Sequence, residues 1–178
     1  IYGYHNLPST LMDTPIPTDY PENINFALET KLKRFLAYTG WQELYTYSMV
    51  SEDIAQQSGY ALDKHLKLQN PLTDDRVYLR RSLLPSLSEI VNQNPTIRPL
   101  SLFEMASVYE PVEKTQVPEQ PLKLALVTTQ DYRQLKGSIE ALLAEVYVEN
   151  LEVIPDEKAQ PGFAQSGSLQ TTEGQVLG

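Results

Sequence analysis

Apolar residues recur at helical spacing between residues 22 and 39, at Ile24, Leu28, Leu32, Phe35 and Leu36. This period of three to four predicts an amphipathic helix. Asp19 and Glu22 have the spacing of a capping box at its start, and Gly40 is typical of the residue that follows a helix end. We therefore predict a helix over 22–39 with one buried face.

The next segment, 41–50, is rich in aromatic and β-branched residues, which predicts a strand. Its period-two pattern places four large side chains on one face: Trp41, Tyr45, Tyr47 and Met49. A short helix over 52–59 and short strands over 65–71 and 77–79 are expected to follow.

Pro85 fits the first turn of a helix that runs to about Asn92. Its spacing directs five residues inward: Leu83, Leu84, Leu87, Ile90 and Val91. A strand is predicted over 100–109.

The proline-rich segment 111–121 is expected to be an exposed loop. The apolar run 122–129 then predicts a central strand.

A single apolar stripe over 131–148 predicts another helix, with Leu135, Ile139, Leu142, Leu143 and Val146 on one side. A strand at 151–154 and a hairpin turning at Glu173 and Gly174 end the chain. Together these elements predict an α+β fold, in which a mainly antiparallel sheet is flanked by about three longer helices.

The 178-residue chain is long enough for one hydrophobic core, and 41% of its residues are hydrophobic. It contains no cysteine, which excludes disulfides and thiolate metal sites. Its formal net charge of −9 argues against a stand-alone nucleic-acid binder, because phosphates would be repelled. No apolar run reaches the roughly 18 to 20 residues that span a bilayer, so we expect a soluble protein without membrane contact. The absence of cysteine suits a reducing compartment, and we expect the cytoplasm.

Familiar catalytic signatures do not occur: the chain has no GxSxG, GxxxxGK[ST] or GxGxxG motif. The two histidines, His5 and His65, lie about 60 residues apart, without a ligand spacing. The acidic turn 72–76 supplies too few oxygens for a calcium site. Lys136, near a helix start, is expected to be a solvated lysine.

Charged residues in 80–110 offer the best candidate chemistry. Arg80 and Arg81 should point to opposite faces of a strand, so at most one of them could face a pocket. An ion pair of one arginine with Glu104 on a neighbouring strand is favoured over that role. Glu104 and Glu110 share a strand face, but six residues at roughly 3.3 Å each place them about 20 Å apart. A glycosidase-like carboxylate pair needs about 5 to 9.5 Å, so that activity is excluded.

Five ordered blocks give the chain a family resemblance: "IYGYHNLP", "GWQELYTYSMVS", "NPLTDDRVYLRRSLLPSLSEIVNQN", "LFEMASVYEP" and "YRQLKGSIEALL". They occur in the order seen in the β subunit of bacterial phenylalanyl-tRNA synthetase, also called phenylalanine–tRNA ligase. The resemblance covers essentially the whole chain. It implies a piece of a longer β chain: an extended arm at 1–22, then a truncated class II synthetase-like core domain at 23–178.

That resemblance implies a module that has lost catalysis and holds no cofactor or metal itself. The α subunit performs the reaction in the family, and the holoenzyme uses ATP and Mg²⁺ to join phenylalanine to its tRNA. Matching "ASVYE" to the second class II motif places Glu110 where an arginine binds the α-phosphate of ATP. In the loop 160–166, Gln160 and Phe163 replace a histidine and an arginine of the family pattern.

The same resemblance implies that helix 22–39 belongs to a subunit interface, with four candidate residues: Phe26, Leu28, Leu32 and Phe35. Each could instead serve the core of the domain. The implied partners are the α subunit, in a heterotetramer, and tRNA(Phe) through the whole enzyme. Two other functions stay open: a domain that activates an amino acid itself, and a free-standing class II-like paralogue that binds a small ligand for regulation.

Overall fold

A computed structural model describes residues 3–11, 13–15, 24–112, 117–157, 163–172 and 174–177. Its helices are α1 (Ile24–Tyr38), α2 (Glu52–Gln56), α3 (Leu84–Gln93) and α4 (Tyr132–Ala144). Its strands are β1 (Gln42–Glu43), β2 (Met49–Val50), β3 (Tyr78–Leu79), β4 (Ser101–Ser107), β5 (Leu122–Thr128), β6 (Leu151–Pro155) and β7 (Gly167–Thr171). Short 3₁₀ turns cover Tyr4–Asn6 and Leu62–Lys64. Among the helices of these ranges, none has the length and apolar character needed to cross a membrane.

The principal sheet has the strand order β1-β4-β5. Strand β4 pairs antiparallel with β5 along its whole length, from Ser101 opposite Thr128 to Ser107 opposite Leu122. Strand β1 pairs parallel with β4, where Gln42 lies opposite Leu102. The α+β class is confirmed, but the prediction that 122–129 is central is wrong. Among the strands of the described ranges, β4 is the middle strand of this sheet and β5 lies at its edge.

Two small antiparallel sheets complete the architecture, one of β2 with β3 and one of β6 with β7. The strand predicted over 65–71 is reduced to a single bridge, between Lys67 and Tyr78. Beyond β7 the chain turns back, and Val176 bridges to Gln170. Glu173, in the predicted turn, lies outside the described residues, as do Asp19 and Glu22 of the predicted capping box.

The single strand predicted over 41–50 is wrong, because this segment forms two short strands, β1 and β2, that are separated by residues 44–48. Trp41 is buried, but Tyr45 and Tyr47 are 78% and 67% exposed, so these residues do not share a buried face. The backbone between β1 and β2 leaves the ladder because Thr46 is held inward by Glu104, through its backbone N–H and its hydroxyl. Its two neighbours consequently point to solvent.

Helix α1 closes the first core cluster, which consists of Leu36, Trp41, Phe103 and Leu142. The helix ends where Gly40 adopts a φ of 92°. The N–H of Gly40 bonds to the carbonyl of Ala37, and the N–H of Trp41 to the carbonyl of Leu36. This Schellman pattern satisfies the last carbonyls of the helix and turns the chain so that Trp41 enters the core.

Helix α3 covers another part of the sheet, where Leu83, Leu87, Val108 and Ala125 form the second core cluster. The prediction that Leu84 points inward is wrong, since it is 38% exposed. The helix begins at Leu84, and the buried positions of its first turns are Pro85, Ser86 and Leu87. A third cluster joins Val50, Ala55 and Tyr78 beneath the small β2–β3 sheet.

Candidate functional site

Arg80 and Glu104 form a buried ion pair beside the principal sheet. Arg80 follows β3 and Glu104 lies in the middle of β4. Nη1 of Arg80 is 2.8 Å from Oε1 of Glu104, and the side chains are 4% and 1% exposed. An ion pair between one of the two adjacent arginines and Glu104 is therefore confirmed, and the structure identifies Arg80 as that arginine.

Further hydrogen bonds enclose this pair. The Nε–H of Arg80 donates to the carbonyl of Ser107 at 3.1 Å, and Nη1 also contacts the hydroxyl of Thr46 at 2.9 Å. Glu104 accepts the backbone N–H of Thr46 at 3.1 Å and its hydroxyl at 2.7 Å. Both charges are thus matched by protein groups, and the cluster ties three chain segments together. The period-two pattern did not predict the role of Thr46. The feature that could have indicated it is its position as a polar residue between two tyrosines.

Arg81 points away from this cluster. This agrees with the prediction that two consecutive residues of an extended segment point to opposite faces. Its guanidinium carbon lies 3.9 Å from the ring centroid of Tyr60, and Nη1 donates to the carbonyl of Lys64 at 3.1 Å. The two adjacent arginines therefore have separate environments. Only Arg80 belongs to the buried cluster.

Glu110 lies beyond the end of β4, where its backbone exchanges two hydrogen bonds with Glu119, at 2.9 and 3.0 Å. Its side chain is 37% exposed, and Oε1 is 4.0 Å from Nζ of Lys123. Glu104 is buried whereas Glu110 is accessible. The two carboxylates thus occupy different environments, and the exposed one has a weak ion pair.

The histidines also occupy different environments. His5 is exposed. His65 is buried, with Nδ1 3.1 Å from the carbonyl of Ala61 and Nε2 3.0 Å from the hydroxyl of Ser58. Burial, followed by the charge of Arg81, lowers the pKa of His65 despite the opposing hydrogen bond to Ala61. Within the described ranges, no group of three His, Asp or Glu side chains is placed to hold a metal ion.

The remaining charged candidates lie at the surface. Lys136 forms an ion pair with Glu140 one helical turn away, and this hydrogen bond raises the pKa of Lys136. In the turn 72–76, a hydrogen bond with Thr73 lowers the pKa of Asp75, whose side chain is 74% exposed. Lys136 is thus a surface lysine as predicted, and the turn 72–76 is exposed to solvent.

The four interface candidates on α1 divide into two environments. Phe26 and Leu28 are exposed, at 69% and 42%. Leu32 and Phe35 are partly buried and pack against the first core cluster. The helix thus presents Phe26 and Leu28 outward while its other face serves the fold. In the loop 160–166, Gln160 lies outside the described residues and Phe163 is 51% exposed.

The fold resembles that of class II aminoacyl-tRNA synthetases. A solved pyrrolysyl-tRNA synthetase from Desulfitobacterium hafniense superposes with a TM-score of 0.67 at 15% identity. The match covers 86% of this chain and 54% of that one. A second structure of the enzyme from the same organism gives a TM-score of 0.68.

Residues 7–178 match the family model described as the phenylalanyl-tRNA synthetase beta chain CLM domain, and the chain belongs to this family. The phenylalanine–tRNA ligase beta subunit of Symbiobacterium thermophilum is 33% identical over 168 residues, covering 82% of this chain and 18% of the relative. That of Bacillus subtilis is 30% identical over 201 residues, covering 99% and 25%. The chain thus spans about a fifth to a quarter of the length of these relatives.

Proposed function

We propose that this chain is a non-catalytic core domain of a phenylalanyl-tRNA synthetase β subunit in the cytoplasm. It packs against the α subunit and supports the heterotetramer that joins phenylalanine to tRNA(Phe) with ATP and Mg²⁺. The family membership supports the placement within this enzyme. The observation that carries the non-catalytic role is the closed Arg80–Glu104 cluster, whose buried charges are matched by one another and by Thr46 and Ser107.

Glu110 supports the same proposal. By the motif match it occupies the position of the arginine that holds the α-phosphate of ATP in class II synthetases. Like unit charges about 4 Å apart repel by about 1 kcal/mol in water and about 4 kcal/mol at an effective dielectric constant of 20. Lys123, at 4.0 Å, offsets part of this charge, but the carboxylate itself has no donor to offer a phosphate.

Helix α1 supplies the proposed contact with the α subunit through its outward residues. Phe26 and Leu28 are exposed apolar side chains on an otherwise amphipathic helix. Burying such side chains in a partner surface removes apolar area from water. Leu32 and Phe35 lie deeper and fix the helix on the sheet, so we assign them mainly to the fold.

Assembly with the α subunit tests this assignment. A β chain of the relatives' length is co-expressed with the α subunit, and complex formation is followed by size-exclusion chromatography. Leu28→Glu should weaken the complex without lowering the melting temperature of the free β chain by more than a few degrees. Leu72→Glu is the matched control because Leu72 is a 93% exposed leucine that belongs to the turn 72–76 and not to α1. Undiminished assembly of Leu28→Glu would refute the role of this helix face.

The catalytic alternative is tested separately by titration calorimetry with ATP and Mg²⁺. This chain should give no binding heat. Saturable heat that Glu110→Lys increases would identify the end of β4 as a nucleotide site and would overturn the non-catalytic assignment.

A further inference from the structure

Two exposed tyrosines flank an inward-pointing threonine between β1 and β2. Thr46 bonds to Glu104 through its backbone N–H and its hydroxyl. Neighbouring side chains of an extended segment point to opposite sides. Tyr45 and Tyr47 are therefore directed to solvent by a buried contact, and they are 78% and 67% exposed.

The ring of Tyr45 lies beside the ammonium group of Lys33, which is itself paired with two carboxylates. Nζ of Lys33 lies 5.4 Å from the ring centroid. The same ammonium lies 2.7 Å from a carboxylate oxygen of Glu29 and 3.0 Å from one of Glu43. One positive and two negative charges leave an excess of one negative charge around this ring.

The ring of Tyr47 also lies beside a cation. The guanidinium carbon of Arg76 lies 4.9 Å from the ring centroid. Asp75 lies 4.0 Å from Nε of Arg76, and Asp74 is the adjacent exposed residue. Glu89 lines the same small cleft as Asp75 and Arg76. The turn that supplies this cation thus carries two exposed carboxylates, Asp74 and Asp75, for the one cation Arg76.

We propose that Tyr45, Tyr47 and the carboxylates around them form a docking surface for a protein surface that carries lysine and arginine side chains. Each tyrosine has one ring face towards its own cation and presents the rest to solvent. Aromatic faces attract cations, and the surplus carboxylates add charge complementarity. A tyrosine whose ring already lies against a neighbouring side chain loses less conformational entropy on binding. Tyrosine is also common among the residues that contribute most to binding energy at interfaces. RNA is disfavoured, because its phosphates would meet this acidic surplus.

This surface includes Glu29 and Lys33 of α1 but not the exposed apolar residues Phe26 and Leu28 of that helix. Its presentation depends on Thr46 and the buried pair rather than on Phe26 or Leu28. The two proposals can therefore fail independently. The protein could assemble with the α subunit but not bind a basic peptide, or bind the peptide but not assemble.

The test uses a fluorescent eight-residue peptide of alternating arginine and serine, with binding to the purified protein measured by anisotropy. The double variant Tyr45→Ser/Tyr47→Ser should bind the peptide at least about tenfold more weakly. Tyr147→Ser is the matched control: Tyr147 is 89% exposed and also lies beside a cation, Lys31, at 5.5 Å. Lys31 lies 3.8 Å from one carboxylate, that of Glu145, whereas Lys33 beside Tyr45 contacts two. The control should leave affinity unchanged.

Two outcomes would overturn the proposal. Equal affinity of wild type, double variant and control would show that the peptide responds only to net charge. A uridine octanucleotide that binds wild type and loses affinity in the double variant would make this an RNA surface instead. Asp75→Asn provides a second variant at an exposed position and should weaken peptide binding about two- to threefold. Thermal unfolding of every variant separates lost binding from lost folding.

Discussion

Nη1 of Arg80 lies 2.8 Å from Oε1 of Glu104, and both side chains are almost entirely excluded from solvent. Taking two charges out of water is costly, so such a pair stabilises a fold only when its other donors and acceptors are also satisfied. Thr46 and Ser107 provide those contacts. The pair therefore fixes how β3, β4 and the segment after β1 meet.

Arg80→Met should lower the free energy of unfolding by about 3–5 kcal/mol, because Glu104 is left as a buried carboxylate without its cation. Urea denaturation followed by circular dichroism measures this change. Arg81→Met is the control on the adjacent residue, which lies outside the buried cluster, and it should cost less. If the two variants were equally stable, the ion pair would not hold these segments together.

The double variant Arg80→Met/Glu104→Leu should be less destabilised than the sum of the two single variants. It removes both charges, so no isolated buried ion remains. A double-mutant cycle from urea denaturation measures the coupling. Additive losses would contradict a direct interaction between these side chains.

Leu36→Ala should cost about 2–5 kcal/mol, since Leu36 is fully buried against Trp41 and Phe103 and its truncation leaves a cavity. Leu28→Ala, on the exposed side of the same helix, should cost less than about 1 kcal/mol. Both changes remove the same atoms from a helix. The difference between the urea midpoints of the two variants therefore measures the effect of burial. Similar midpoints would contradict an orientation of α1 that buries Leu36 and exposes Leu28.

His65 should make stability depend on mildly acidic pH. Its pKa is lowered in the folded state, by burial first, so the unfolded chain takes up a proton more readily. This contribution is fully present above the ordinary histidine pKa of about 6.5 and is lost as pH falls below it towards the folded value. His65→Gln should flatten the change in unfolding free energy between pH 7.5 and 5. His5→Gln, a change at an exposed side chain, should retain the wild-type slope.

Lys33 should contribute stability that disappears only at high pH. Burial alone would lower its pKa, but hydrogen bonds to Glu29 and Glu43 outweigh it and raise the pKa well above 10.5. The contribution is fully present below about pH 10.5, where the unfolded lysine is charged, and is lost as pH rises towards the folded pKa. The stability difference between wild type and Lys33→Met should thus shrink from pH 9 to pH 12. A constant difference would mean that Lys33 acts through packing alone.

Much of the fold follows from apolar periodicity. The helices α1 and α4 and the strands β4 and β5 appear where the pattern predicts them, because each buries a continuous apolar face. The order of the strands was not predictable in this way. A mostly apolar run is compatible with an edge strand whose face is covered by helices, and β5 is such a strand.

At the candidate site, too, some contacts could be predicted from the sequence and others could not. A pairing of one of the two adjacent arginines with Glu104 could be predicted, since a buried charge needs a partner, but the choice of Arg80 could not. The break between β1 and β2 could not, because it depends on Thr46 contacting a residue 58 positions away. Period two at Tyr45 and Tyr47 correctly places them on one side, but that side faces solvent. Aromatic residues satisfy the strand pattern on either face.

The packing of Trp41 has a practical consequence for following how the molecule folds. It is the single tryptophan of the chain, and it is 5% exposed between α1, β4 and α4. The β4–β5 hairpin joins neighbouring segments, whereas β1 reaches β4 across about 60 residues, so local contacts favour forming the hairpin first. Tryptophan emission would then report the later arrival of α1 on the preformed hairpin, and a stopped-flow trace should lag behind the circular dichroism signal.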